Sequence, residues 1–102
     1  MRITAIETLY FSGGITVHAG PIQWLWVRIH TDNGLHGLGE TYPHPASEEA
    51  VVISRLAPRL LGQDAGRIEG LWASMFDAVS YSGWAGAEMR AISAIDTALW
   101  DR

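Results

Sequence analysis

The chain has 102 residues, with 11 acidic and 7 basic side chains, a formal net charge of −4 and 48% hydrophobic residues, the size and make-up of one folded domain with a single apolar core. All seven basic residues are arginine and cysteine is absent, which removes lysine bases, phosphate-loop lysines, disulfides, thiolate metal sites and thiol nucleophiles. The acidic balance and scattered arginines speak against nucleic acid, and no apolar stretch approaches the ~20 residues that cross a bilayer. Residues 1–11 lack the apolar centre of a secretory signal, so a cytoplasmic location with no membrane partner is expected.

Residues 2–11 read as a first strand, with Ile3, Ala5, Glu7 and Leu9 on one face and Thr4, Ile6, Thr8 and Tyr10 on the other. Residues 12–21, with three glycines and a proline, read as a flexible loop. Residues 22–31 form the clearest strand, Leu25, Val27 and Ile29 facing one way and Trp24, Trp26, Arg28 and His30 the other. Asp32-Asn33-Gly34 supplies a tight turn, and residues 35–41 return as a third strand. Gly37 and Gly39 share one face of it, which predicts something bulky against them, such as an indole from the neighbouring strand.

Near Pro43 and Pro45 the pattern changes from period two to helical spacing. Ser47 is placed to cap a helix with Glu48 and Glu49 in its first turn, and Val52, Ile53, Leu56 and Leu60 as its apolar stripe. Pro58 should kink or end it and Gly62 stop it. Asp64 is placed to cap a second helix carrying Ile68, Leu71, Trp72, Met75, Phe76 and Val79. Residues 81–86 break that pattern, and a third helix from near Ala87 carries Ala91, Ile92, Ile95, Ala98 and Leu99. Its periodicity still runs at Leu99 and Trp100, as expected of a chain cut from something longer. The reading is therefore α+β: one domain over residues 1–102, with a three-stranded antiparallel meander in 1–45 and a bundle of about three helices in 46–102.

Few residues suggest chemistry. His36, Glu40 and His44 are spaced by four, but on a strand His36 and Glu40 lie about 13 Å apart and cannot share a metal. Gly37-Leu38-Gly39 lacks the third glycine of a dinucleotide fingerprint, since position 42 is tyrosine. Ser12-Gly13-Gly14 and Ser82-Gly83 lack a nucleophile elbow. Glu88 and Asp96, with Arg90 nearby, read as a solvated helix face or an inter-domain contact. Trp24 and Trp26 mark either a partner surface or the core face itself. No catalytic residue and no metal ligand is assigned.

Three segments together resemble the N-terminal capping domain of the mandelate racemase and muconate lactonizing enzyme family of the enolase superfamily: WLWVRIHTDNGLHGLGETYPHP (24–45), LLGQDAGRIEGLW (60–72) and AISAIDTALWDR (91–102). The details lean toward the acid-sugar dehydratases of the galactonate dehydratase kind. The resemblance implies a cap that closes over a C-terminal TIM barrel, the partner domain absent from this chain. Mg²⁺ and the residues that abstract a proton α to a carboxylate would lie in that barrel, with no cofactor in this chain. The cap alone would be inactive, and the parent a lyase or an isomerase, either racemase or cycloisomerase.

The cap's expected part is specificity, its loops folding over a hydroxy- or sugar-acid. On this chain the resemblance points to His18 in the first loop, Tyr42 and His44 after the third strand, and Trp84 in the region 81–84 as substrate-binding residues. Asp96, Trp100 and Asp101 would make packing and polar contacts toward the barrel. The alternative is a stand-alone α+β binding module or a homo-oligomer formed through the tryptophan-bearing face. A small independent enzyme using His18 or His44 is disfavoured.

Overall fold

A computed structural model describes residues 1–17, 20–42, 45–81 and 86–101. Three strands, β1 (Ile3–Val17), β2 (Gly20–Thr31) and β3 (His36–Thr41), form an antiparallel sheet in the order β1-β2-β3. The turn from β2 to β3 follows from its residues: Gly34 takes φ +83°, and Asn33 Oδ1 accepts from the Thr31 hydroxyl and the Leu35 N–H. Residues 12–21, expected to be a loop, are instead mostly strand. The pairing continues past Phe11↔Trp24 and Ser12↔Gln23 to Val17↔Gly20, with a register shift between Ser12 and Thr16 that absorbs the glycine pair. The hairpin therefore overhangs the last pair made with β3, Leu25↔Thr41.

The period of two holds across β2, where Leu25, Val27 and Ile29 are fully buried and Trp24 and Trp26 lie half-buried on the opposite face. The aliphatic row is thus the core face. Between Ile3 and Ser12 of β1 the alternation is broken once, by a bulge at Thr4 between the pairs Ile3↔Thr31 and Ala5↔His30. It moves Ile3, 1% exposed, to the core side with Ile6, which the plain alternation put on opposite faces. Outward, Phe11 packs on Trp26 at 4.8 Å between ring centroids, and Glu7 holds His30 Nε2 at 3.1 Å and Arg28 at 3.5 Å.

The helices form three rods, of which the first and the last lie on the aliphatic face and the second packs on the other two. The first begins at Pro45 rather than at a Ser47 cap, as α1 (Pro45–Val51), which suits the fixed φ of proline in a first turn. It widens into a π-helical turn (Val52–Leu56) and tightens again as α2 (Ala57–Leu60). Pro58 neither ends nor visibly breaks this rod, because the Ala57 N–H reaches back to the Val52 carbonyl just before the residue that cannot donate. Val52, Leu56 and Leu60 are fully buried, whereas Ile53, placed in the stripe by spacing, is 58% exposed. Gly62 stops the rod with φ +84°.

Asp64 does not cap the next helix: its Oδ1 accepts the Gly66 N–H at 2.9 Å, closing a turn ahead of Arg67, which precedes α3 (Ile68–Val79). Leu71, Met75 and Val79 of α3 are buried, and Trp72 and Phe76 stack on its flank, 5.3 Å apart and within 11° of parallel. In α4 (Ala87–Asp101) the expected residues Ala91, Ile92, Ile95, Ala98 and Leu99 are all buried, with Ala94. No helix among the described residues is long and apolar enough to cross a membrane.

Gly39 of β3 is explained by α4, not by an indole. A Cβ on Gly39 would lie 1.8 Å from the Ala94 carbonyl oxygen, so helix backbone occupies the space, and the tryptophans are on the other face. Asp101 fixes the far end of this seam, accepting the Leu38 N–H at 2.9 Å.

Candidate functional site

The seam sets the polarity of the site. Asp101 meets Leu38, Ala94 meets Gly39, and Arg90 in the first turn of α4 meets the region of Thr41, so α4 runs antiparallel to β3. The start of α4, the end of β3 and the start of α1 thereby converge at one end of the molecule.

Glu48 is the pin of that convergence. Its side chain is fully buried; Oε1 takes the Arg90 Nε–H at 2.5 Å and the Thr41 hydroxyl at 3.4 Å, while Oε2 has no partner among the described residues. A buried carboxyl group is tolerated only when paired, and Arg90, with 38% of its side chain exposed, supplies the charge. Sequence reasoning placed Glu48 in a helix first turn and read Glu88 and Asp96, with Arg90 nearby, as a solvated face or an inter-domain contact. The structure ties Arg90 to Glu48 instead. A signal was present: Glu48, Val52, Leu56 and Leu60 fall at steps of four, so the apolar stripe extended back one turn lands on Glu48.

Tyr42 follows directly on this pin, and its side chain is 60% exposed. Tyr81, fully exposed, and Gly86 flank the break between α3 and α4, and Gly86 precedes the turn that carries Arg90. The overhanging β1–β2 hairpin extends at the same end, since its last described pair, Val17↔Gly20, lies beyond Leu25↔Thr41 by a run of about 16 Å. The three segments expected to face a substrate are therefore borne by one end of the fold. His18, His44 and Trp84 themselves lie outside the described residues.

The remaining candidates do not add to this end. Asp101 serves the β3 edge, and Trp100, 68% exposed, lines an open cleft with residues of the turn before α3 such as Gly66 and Arg67. His36 lies beside His30 on the outer sheet face, 5.9 Å between ring centroids and tilted by 42°. Among the described residues no three His, Asp or Glu side chains converge as a metal site needs. The end can shape a surface and offer hydroxyl, aromatic and guanidinium contacts.

Comparison with known proteins agrees with this architecture. The chain is 43% identical over 89 residues to the D-galactonate dehydratase of Verminephrobacter eiseniae (strain EF01-2), covering 85% of this chain and 23% of that protein. It is 40% identical over 87 residues to the D-galactonate dehydratase of Xanthomonas campestris pv. campestris (strain B100), covering 84% of this chain and 22% of the relative. Among solved structures, a Streptomyces coelicolor A3(2) racemase with bound magnesium superposes with a TM-score of 0.87 at 33% identity, over 96% of this chain and 30% of that one. The 3,6-anhydro-D-galactonate cycloisomerase of Zobellia galactanivorans superposes with a TM-score of 0.88 at 32% identity, over 98% of this chain and 27% of the enzyme. The chain thus spans about a quarter of the length of these relatives. With a family match over residues 15–102, the chain belongs to the mandelate racemase / muconate lactonizing enzyme family, as its N-terminal domain.

Proposed function

We propose that this chain is the capping, specificity-determining domain of a Mg²⁺-dependent enzyme that removes the proton α to the carboxylate of a sugar acid. The reaction is dehydration of an aldonic acid, as the names of the most similar relatives suggest, or a racemisation or cycloisomerisation built on the same first step. The observation that carries the reading is the convergence of three loop-bearing segments on one end, pinned by Thr41, Glu48 and Arg90.

On this reading a C-terminal barrel completes the protein and the chain alone turns nothing over. Carboxylates of that barrel would hold the magnesium, which would supply positive charge where negative charge develops. The residues of this chain bind and orient the substrate and exclude water. Tyr42 is the described residue in contact with substrate, and His18, His44 and Trp84 are its proposed companions. The protein would work in the cytoplasm.

The test uses the full-length polypeptide that carries this chain, assayed with Mg²⁺ on a panel of aldonic and other hydroxy acids. Tyr42→Ala should raise KM about tenfold while kcat changes by less than about threefold, the signature of lost uniform binding. Unchanged KM on every accepted acid would remove Tyr42 from the site. A full-length protein inactive on all such acids would sink the whole proposal.

A further inference from the structure

The two edges of the sheet are finished differently. Along β3 the outward Leu38 N–H is taken by Asp101 and the backbone of α4 lies against Gly39. Along β1 only the start is covered: the Ile3 N–H donates to the Gln63 carbonyl at 2.9 Å, and the Ile3 carbonyl accepts from Gly62 at 2.8 Å. Beyond Ile3, β2 is the only strand or helix packed closely on β1 among the described residues.

The hydrogen-bond phase of the sheet identifies what that open edge presents. Because the Leu38 N–H points away from β2, Arg28 and Leu38 are a non-hydrogen-bonded pair, and Val27 and Ile29 make the bonds to β3. Trp26, Arg28 and His30 then bond to Leu9, Glu7 and Ala5, leaving the N–H and C=O groups of Ile6, Thr8 and Tyr10 directed outward. Between the bulge at Thr4 and the register shift after Ser12, residues 5–11 carry no proline, no lysine, no bulge and a single charged residue, Glu7, so this stretch is weakly guarded.

We infer that β1 pairs antiparallel with β1 of a second copy of this chain, about a two-fold axis at Thr8, to make one continuous sheet. This inference does not rest on the capping role. In that register Thr8 faces its own copy, and Ile6 faces Tyr10 with both outward N–H and C=O groups matched. On the outer face Glu7 faces Leu9 and Ala5 faces Phe11, so the two Glu7 carboxylates are diagonal and never opposed. Tyr10 and Phe11, 47% and 41% exposed here, gain apolar neighbours. An isologous pairing satisfies both open edges at once, which a single foreign strand does not.

Three measurements on the 102-residue chain test it. Light scattering should give twice 11.2 kDa, and amide exchange at Ile6, Thr8 and Tyr10 should slow as concentration rises. Thr8→Pro removes an outward N–H without touching the ladder to β2, and should return the mass to that of a monomer. In this cysteine-free chain Thr8→Cys should oxidise to a disulfide-linked dimer, since paired Cα atoms about 5.5 Å apart suit a disulfide, whereas Leu9→Cys should not. A monomer at every concentration with fast exchange at Ile6, Thr8 and Tyr10 overturns the inference, whether or not the variants fold. A dimer that cross-links through Leu9→Cys and not Thr8→Cys overturns the register.

Discussion

The seam between β3 and α4 and the free run of β1 are edges of one sheet, yet they obey different rules. At the seam, backbone meets backbone where Gly39 admits the Ala94 carbonyl, and side chains fix its ends: Asp101 accepts from Leu38, and the buried Glu48 joins Thr41 to Arg90. Each of those residues answers to a single geometry. Along β1 the side chains have strand propensity and a half-covered surface to satisfy, and nothing more specific. Close packing makes a region intolerant of change and so positions the loop-bearing end, while an open edge leaves a strand available to a partner.

This contrast can be broken by substitution, beginning where the effect is greatest. Gly39→Val should cost more than about 3 kcal/mol or abolish folding, because the added carbons meet helix backbone that cannot move aside. A urea midpoint within about 1 kcal/mol of the parent would show that the seam is looser than drawn. Arg90→Met should cost about 2–3 kcal/mol by leaving Glu48 buried without a partner, an effect reduced by the partial exposure of Arg90. Pairing it with Glu48→Leu should restore much of the loss; simple additivity in that double-mutant cycle would deny the coupling.

Smaller effects sharpen the comparison. Asp101→Ala removes one acceptor from an edge N–H and should cost about 1 kcal/mol, read by chemical denaturation. On β1, Glu7→Gln loosens the contacts to Arg28 and His30, yet should stay within about 0.5 kcal/mol because those pairs are exposed. A loss above 2 kcal/mol there would erase the distinction between the edges.

Much of the fold was legible because its signals are local. Leu25, Val27 and Ile29 alternate with tryptophans, and the α4 residues recur at three and four, so faces and order follow from periodicity. What was not legible depends on distant contacts. Glycines in 12–21 read as a loop, but a paired hairpin with an irregular register accepts them. Gly39 announced a close approach without naming its occupant, because Ala94 lies 55 positions further along the chain. Pro58 argued for a helix end, and only the π-helical turn before it shows why the rod continues.

The site was legible in the same proportion. Tyr42, pointed to by the resemblance, lies after a strand and before a helix, next to the buried Glu48. Glu48 and Arg90 were passed over because charge in a helix usually faces water. Their pairing needs β3, α1 and α4 in place at once, a tertiary fact that no window of sequence contains.

The capping role is tested most directly by amide exchange on the full-length protein, with Mg²⁺ present, before and after adding a sugar acid that it turns over. The account predicts that the ligand slows exchange at Val17, Gly20, Tyr42, Tyr81 and Gly86, the described residues bordering the three segments, and leaves Leu61 and Trp72 unchanged. Protection confined to residues outside this chain would contradict it.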